Sequence, residues 1–180
     1  MRFPTIVAHD LEGRRYEIPG DLPVGPRIIV LAFQRWHTAL IEQWQPELDR
    51  VVHEHPGTTW WEIPALSRVY APVRPFIDGG MRAGIPDAEA RRQTLTSYTD
   101  LRALESALGL AGFETIYVLL VDASGEVVWM GSGEVDDGSV AQLDHRVHDR
   151  LRVHHDADAV VGDAEELVRL DHFETLVHHG

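Results

Sequence analysis

Residues 27–48 read RIIVLAFQRWHTALIEQWQPEL, and the hydrophobic period changes within them. RIIVLAF is a short, unbroken apolar run rich in β-branched residues, which is typical of a strand buried on both faces. After the turn the apolar residues recur every three or four positions, at Leu40, Trp44 and Leu48, as on one face of a helix. The stretch therefore predicts a buried strand, a tight turn and an amphipathic helix of about four turns, bent at Pro46.

A second strand is predicted at residues 58–66, TTWWEIPAL, between the breaker HPG and Pro64, which we expect to close it. Two such strands joined by a helix form a βαβ unit with parallel strands. Trp60 and Trp61 are consecutive, so they face opposite sides of the sheet. At least one of these large side chains must be covered by a helix, by an insert or by a second subunit, and we expect a homodimer.

The flanking segments predict the rest of a three-layer α/β fold, in which helices flank a mixed central sheet. An N-terminal hairpin precedes the βαβ unit, an irregular insert rich in Pro and Gly follows it, and a strand, a helix, a second hairpin and a last helix complete the domain. These segments are residues 5–19, 67–90, 91–98, 99–110, 115–133 and 138–152. The domain covers residues 1–153, and residues 154–180 form an acidic, His-containing C-terminal extension with a short helix predicted at 165–170.

The element order resembles the redoxin branch of the thioredoxin-like superfamily. Trp36, Pro46, Asp122 and Gly125 stand where that family has a Trp before Cys-x-x-Cys, a proline in the following helix and a later Asp-x-x-Gly turn. Both family cysteines are missing. Their positions hold His37 and Leu40 if Trp36 is aligned, or Thr38 and Ile41 if Pro46 is aligned. The family's cis-proline, which falls near Ile116, is also missing.

A second likeness covers residues 30–133 and is carried by residues scattered through the insert, the last hairpin and the segments between them. The sequence looks like the cysteine-poor thioredoxin-like family of mitochondrial ATP synthase assembly factors. The residues are Met81, Arg82, Ile85, Pro86, Tyr98, Leu108, Asp122, Gly125, Trp129 and Gly133. That resemblance implies a protein that binds another during assembly and performs no turnover.

Composition excludes several classes of function. The chain has no cysteine, so thiol-disulfide exchange, thiol peroxidase activity and Cys-ligated metals are excluded. Its formal net charge of −13 disfavours nucleic acid and anionic membranes as partners. The apolar runs are too short to span a bilayer, and the N-terminus resembles neither a signal nor a transit peptide. We expect a cytoplasmic protein without a cofactor.

The turn after the first buried strand is the predicted binding site. Arg35, Trp36, His37 and Thr38 precede a helix N-terminus, where backbone N–H groups and the helix dipole favour an anion. In the alternative interpretation, Thr38 or His37 only caps the helix and Trp36 packs under the insert.

We hypothesise a non-redox binding or assembly module that uses this turn, the loop at Ile116 and the insert residues Met81 and Arg82, with no catalytic residue. Its partner is a protein or a small anionic ligand. The alternative is an enzyme of unassigned reaction that uses His37 and Arg35. The two hypotheses differ at His37: burial with bonds to backbone alone favours the module, and an open pocket shared with Arg35 and Arg82 favours the enzyme.

A histidine cluster on the last predicted helix raises the question of a metal. His145 and His148 are one turn apart, and Asp149, His154 and His155 are close in sequence. Imidazole and carboxylate at this spacing can share a divalent ion. Because no metal-binding motif such as HExxH is present, we predict no metal site there.

Overall fold

The computed structural model describes residues 1–153, which form seven strands with helices between and after them. The strands are β1 (Ile6–Asp10), β2 (Arg15–Ile18), β3 (Arg27–Ala32), β4 (Thr59–Ser67), β5 (Leu95–Thr99), β6 (Tyr117–Val121) and β7 (Val127–Ser132). The α-helices are α1 (Thr38–Glu54), α2 (Arg74–Gly84), α3 (Ala88–Gln93), α4 (Leu101–Leu108) and α5 (137–153), and 3₁₀ helices occupy Arg35–His37 and Arg68–Val73. The extension 154–180 and its predicted helix lie outside the described residues.

One mixed sheet organises the domain, with strand order β2-β1-β5-β4-β3-β6-β7. Strands β3, β4 and β5 are parallel, while the two hairpins, β1–β2 and β6–β7, add antiparallel strands on either side. Helices α1 and α5 cover one face, and α4 covers the other. The predicted three-layer α/β fold, with its mixed sheet and N-terminal edge hairpin, is confirmed.

The βαβ unit forms as its period predicts. All six residues of β3 are buried, because neighbouring strands and helices enclose it on every side. The apolar stripe of α1, including Trp44 and Leu48, packs on the face of the sheet that carries Ile28 and Val30. The helix continues through Pro46. On the opposite face, Leu104 and Leu108 of α4 pack with the inward residues of the N-terminal hairpin. Each face therefore has its own apolar core.

Two predicted strand ends are wrong. Pro64 does not close β4, which continues to Ser67. Pro64 pairs with the last residue of β3, and the residues after it pair with β5. The third parallel strand begins at Leu95 rather than Arg91, because residues 91–93 complete a helix that starts at the Asp87 cap. In both places, a neighbouring element sets the boundary.

The chain itself covers the tryptophans of α1 and β4. Trp44 is fully buried and donates its Nε1–H to the Gly133 carbonyl at 2.9 Å. Trp60 packs under α1 and donates to Asp49 at 2.8 Å, whereas Trp61 packs on the opposite face. These side chains need no second subunit to cover them, and the homodimer stays a prediction. Within residues 1–153, no helix is long and apolar enough to cross a bilayer.

Candidate functional site

The three parallel strands end at one edge of the sheet. Phe33 follows β3, Arg68 follows β4 and Asp100 follows β5. Ligands of open α/β sheets bind outside the carboxyl ends of such strands. We call the part of this edge built by residues 33–38 and 113–116 the corner. It contains the predicted turn, the start of α1 and the loop before β6.

His37 lies at the centre of the corner and is completely buried. Its Nδ1 accepts hydrogen bonds from the backbone N–H groups of Phe33, at 3.0 Å, and Gln34, at 3.3 Å. Nδ1 is therefore the unprotonated nitrogen and Nε2 carries the proton. Burial lowers the pKa of His37, and the nearby backbone of Glu114 offsets part of this effect. The residue is a neutral imidazole that fixes the turn after β3.

A chain of aromatic rings connects the buried histidine to the surface. The Trp36 ring meets the His37 ring edge-on at 4.4 Å between centroids, and Trp36 is 55% exposed. On the other side of His37, the Phe33 ring lies 5.0 Å from that of Phe113. Trp36 does not pack under the insert, contrary to the alternative interpretation. Its indole is presented to solvent on a rigid base.

The remaining corner residues do not converge on His37. Arg35 and Thr38 are exposed, and the Thr38 hydroxyl donates to the Arg35 carbonyl at 3.0 Å rather than capping α1. Ile116 is fully buried in the core under α1, and its carbonyl accepts from Gly133. The peptide bond at Thr115–Ile116 is trans, since Ile18–Pro19 is the one cis bond among the described residues.

A shallow depression of about 290 Å³ adjoins the corner. Phe113 joins the two, because it lines the depression and also touches Phe33. Two exposed arginines contribute to the rim: Arg68 lies 3.6 Å from the Asp100 carboxylate, and Arg102 lies 3.1 Å from Glu105. The lining residues are Ser67, Arg68, Val69, Thr99, Asp100, Leu101, Arg102 and Phe113. Both arginine charges are partly offset by these carboxylates.

Beyond the depression, the insert presents apolar side chains to solvent. Val69, Tyr70, Val73 and Phe76 are 71%, 52%, 51% and 90% exposed. We call these four residues the insert surface. They lie on consecutive turns of a 3₁₀ helix and the start of α2, and neither helix has a buried residue. Most soluble domains do not expose such a group of large apolar residues without a partner.

Polar contacts hold α2 on the sheet in place of an apolar core. The Tyr98 hydroxyl donates to the Asp78 carboxylate at 2.9 Å, and Arg74 lies 3.7 Å from the same carboxylate. Burial and this neighbouring carboxylate raise the pKa of Tyr98. At the end of α2, Arg82 lies 3.5 Å from Glu12 in the β1–β2 turn. The insert is thus fastened at separate points along its length.

These contacts also separate two predicted site residues from the corner. Glu12 lies beside the start of β5, because Asp10 pairs with Leu95. Arg82, its partner, is therefore near the opposite edge of the sheet from His37, and Met81 precedes it on the half-buried side of α2. The structure does not bring His37, Arg35 and Arg82 together in one pocket.

The two described histidines of α5, His145 and His148, have different neighbours. His145 pairs with Asp149 at 3.4 Å on the exposed side of the helix. His148 instead lies beside His55 at the end of α1, with ring centroids 5.9 Å apart. His154 and His155 lie outside the described residues.

Comparison with solved structures identifies the architecture. The pneumococcal exposed lipoprotein thioredoxin Etrx1 from Streptococcus pneumoniae matches with a TM-score of 0.53 and 11% identity, covering 79% of this chain and 99% of that one. BsSco, a member of the Sco family of cytochrome c oxidase assembly proteins, matches with a TM-score of 0.56 and 11% identity over 83% and 92% of the two chains. The fold is thioredoxin-like. Yeast Sco1 with copper bound shares this thioredoxin-like fold with a TM-score of 0.54 and 13% identity, over 82% of this chain and 92% of that one.

Sequence comparison adds no family to the thioredoxin-like fold. The chain matches no protein-family model and no curated protein. At such low identity the structural likeness concerns the fold alone. The thioredoxin-like scaffold is combined here with a sequence that has no cysteine, so the corner cannot perform thiol chemistry.

From the sequence, the turn at residues 35–38 could be selected as a candidate site, but the surface beside it could not. Phe113, Arg68 and Arg102 come from three separate segments, and only the sheet topology brings them to one depression. Phe76 was overlooked for a different reason: it lies in an irregular stretch where periodicity does not distinguish inward from outward positions. The one sign in the sequence that Phe76 could be exposed is that it is a large apolar residue in a segment without a clear apolar stripe.

Proposed function

We propose that this thioredoxin-like domain is a non-catalytic module that binds another protein through the insert surface. The single observation that carries the proposal is the exposure of four large apolar side chains, of which Phe76 is 90% exposed. Aromatic residues at the centre of an interface commonly contribute most of its binding energy. Burying these side chains on a partner removes apolar area from water, which favours association.

The geometry of His37 supports a binding role over catalysis. A general base must come within hydrogen-bond distance of the substrate proton that it takes. The His37 side chain has no exposed surface, and its unprotonated nitrogen already accepts two backbone N–H groups. An enzyme that used His37 with Arg35 would have to dismantle the turn that these bonds hold.

A protein partner accounts for the site better than a small anion. The arginines of the depression already face Asp100 and Glu105, which weakens their attraction for a free anion. The apolar residues beside them match the aromatic and aliphatic core of a protein interface, with the arginines at its polar rim. Assembly of a larger complex, as in the ATP synthase assembly factor family that the sequence resembles, is one form that this binding can take.

Affinity capture from a lysate of the organism that encodes the chain tests this function. The full-length protein serves as bait beside two valine variants. Val69→Ser changes the insert surface, and Val24→Ser is its control, because Val24 is 75% exposed at the other end of the molecule and Val69 is 71% exposed. We expect a partner that the wild type and Val24→Ser retain and Val69→Ser loses. Equal capture by all three would contradict the proposal.

A further inference from the structure

A second group of chemically active side chains lies far from the corner, where the end of α1 meets the middle of α5. Glu54, His55 and Asp144 place one ligand atom each within 4.8 Å of one another. Since α1 starts at the corner and has 17 residues, its end is about 25 Å from its start at 1.5 Å per residue. This cluster therefore belongs to neither the corner nor the insert surface.

The cluster combines two imidazoles with two carboxylates. His55 is 13% exposed, and its Nε2 lies 3.0 Å from Asp144 Oδ1. His148 follows Asp144 by one helical turn, and its ring centroid lies 5.9 Å from that of His55. Residues four apart on a helix present their side chains to the same side. The second helix thus supplies an imidazole and a carboxylate toward the pair at the end of the first.

The local electrostatics favour a cation. Glu54 and His55 are the last residue and the C-cap of α1, where the negative end of the helix dipole lies. A cation is already drawn there: Arg50 Nη1 lies 2.7 Å from Glu54 and 3.8 Å from Asp144. Its Nε also donates to Glu47 at 3.0 Å. Arg50 can therefore keep the Glu47 contact if another cation takes its place.

We propose that Glu54, His55, Asp144 and His148 bind a divalent first-row transition metal ion of the Zn²⁺ or Ni²⁺ class. Imidazole nitrogens with carboxylate oxygens are the ligands that these ions take in proteins, whereas Ca²⁺ and Mg²⁺ prefer oxygen alone. A bound ion would link the end of α1 to α5, the two helices that cover one face of the sheet. The site gives the domain a metal-dependent clamp that is independent of partner binding.

Calorimetric titration of the full, untagged chain with Zn²⁺ tests the site. His55→Gln removes a ligand, and His53→Gln is the matched control, since His53 is an exposed histidine two residues earlier on the same helix. We expect His55→Gln to weaken binding at least about tenfold, since even loss of an indirect partner of a metal ligand has that effect. His53→Gln should bind as the wild type does.

The second imidazole gives a test with variants that are expected to fold as the wild type does. His148 and His145 are both exposed on α5, so replacing either with Gln leaves the core intact. His148→Gln should weaken binding by a similar factor and abolish any rise in the melting temperature on adding Zn²⁺, whereas His145→Gln should change neither. Zn²⁺ binding that survives both His55→Gln and His148→Gln would assign the ion to other histidines, including those of the extension, and would overturn the proposal.

Arg50→Gln distinguishes a metal site from a salt-bridge cluster. Removing the competing guanidinium should strengthen Zn²⁺ binding several-fold, because the carboxylates of Glu54 and Asp144 then have no arginine to pair with. Unchanged or weaker binding in Arg50→Gln would contradict the placement of the ion beside these carboxylates.

Discussion

The corner and the insert surface are neighbours at the same edge of the sheet, but they are built in opposite ways. The corner is closed: His37 is fully buried and its acceptor nitrogen bonds to backbone. The insert is open: its helices bury no residue and expose Phe76 almost completely. In a thioredoxin-like fold without cysteine, the turn after β3 holds the scaffold together, and the adjacent insert is the part available to a partner.

The largest effect should follow from removing the histidine of the corner. His37→Ala leaves the Phe33 and Gln34 amides without an acceptor and opens a cavity, so we expect a loss of about 2–4 kcal/mol in the free energy of unfolding. His37→Asn, whose amide oxygen can accept from the same N–H groups, should recover part of the loss. Urea unfolding of the three proteins measures this. An unchanged free energy of unfolding in His37→Ala would contradict the structural role assigned to the corner.

Glu62 lies in the middle of β4, on the strand face that also carries Trp60, and its contribution to stability depends on pH. Burial raises its pKa from 4.5 to about 7, and the Thr94 hydroxyl offsets part of that shift. The native state therefore binds more protons than the unfolded state between these values, and stability falls as the pH rises through this window. Glu62→Gln should be stabilising by about 1–3 kcal/mol at pH 8 and nearly neutral at pH 4.5. Thermal unfolding at both pH values measures the difference, and an equal effect at both would contradict the shifted pKa.

The attachment of α2 can be weakened without touching the apolar cores. Tyr98→Phe removes the hydrogen bond to Asp78, which we expect to lower the free energy of local opening by about 1–2 kcal/mol. Hydrogen exchange should quicken in residues 74–84 and stay unchanged in α1. Quickening in both helices to the same extent would mean that the insert is not a separately fastened unit.

The smallest effect on stability is expected at the insert surface. Val69→Ser and Phe76→Ser change exposed side chains, so the free energy of unfolding should stay within about 0.5 kcal/mol of the wild type. Urea unfolding checks this. A loss comparable with that of His37→Ala would show that these residues support the fold, and the contrast between the two regions would disappear.

Much of the fold could be predicted because local pattern and tertiary structure agree. The unbroken apolar run of β3 and the apolar stripe of α1 determine the βαβ unit. Helix α4 begins after its N-cap Asp100 and ends at its C-cap Gly109. Boundaries were wrong where a neighbouring strand or helix decided them, as at Pro64 and Arg91.

The candidate site was harder to predict because its residues meet only through topology. Trp36 and His37 follow a recognisable strand, yet nothing local shows that one is exposed and the other buried. Phe113 reaches the depression from a loop before β6. Arg82, by contrast, is carried by α2 to the opposite edge of the sheet, where it meets Glu12.

In the proposed arrangement, a partner contacts the insert surface while the corner serves the scaffold. Hydrogen exchange of the full chain with and without its captured partner tests this directly. We expect binding to slow exchange in residues 68–76, to change it little in residues 37–41, whose amides the fold already protects, and to leave it unchanged near Val24. Protection confined to segments away from residues 68–76 would contradict it.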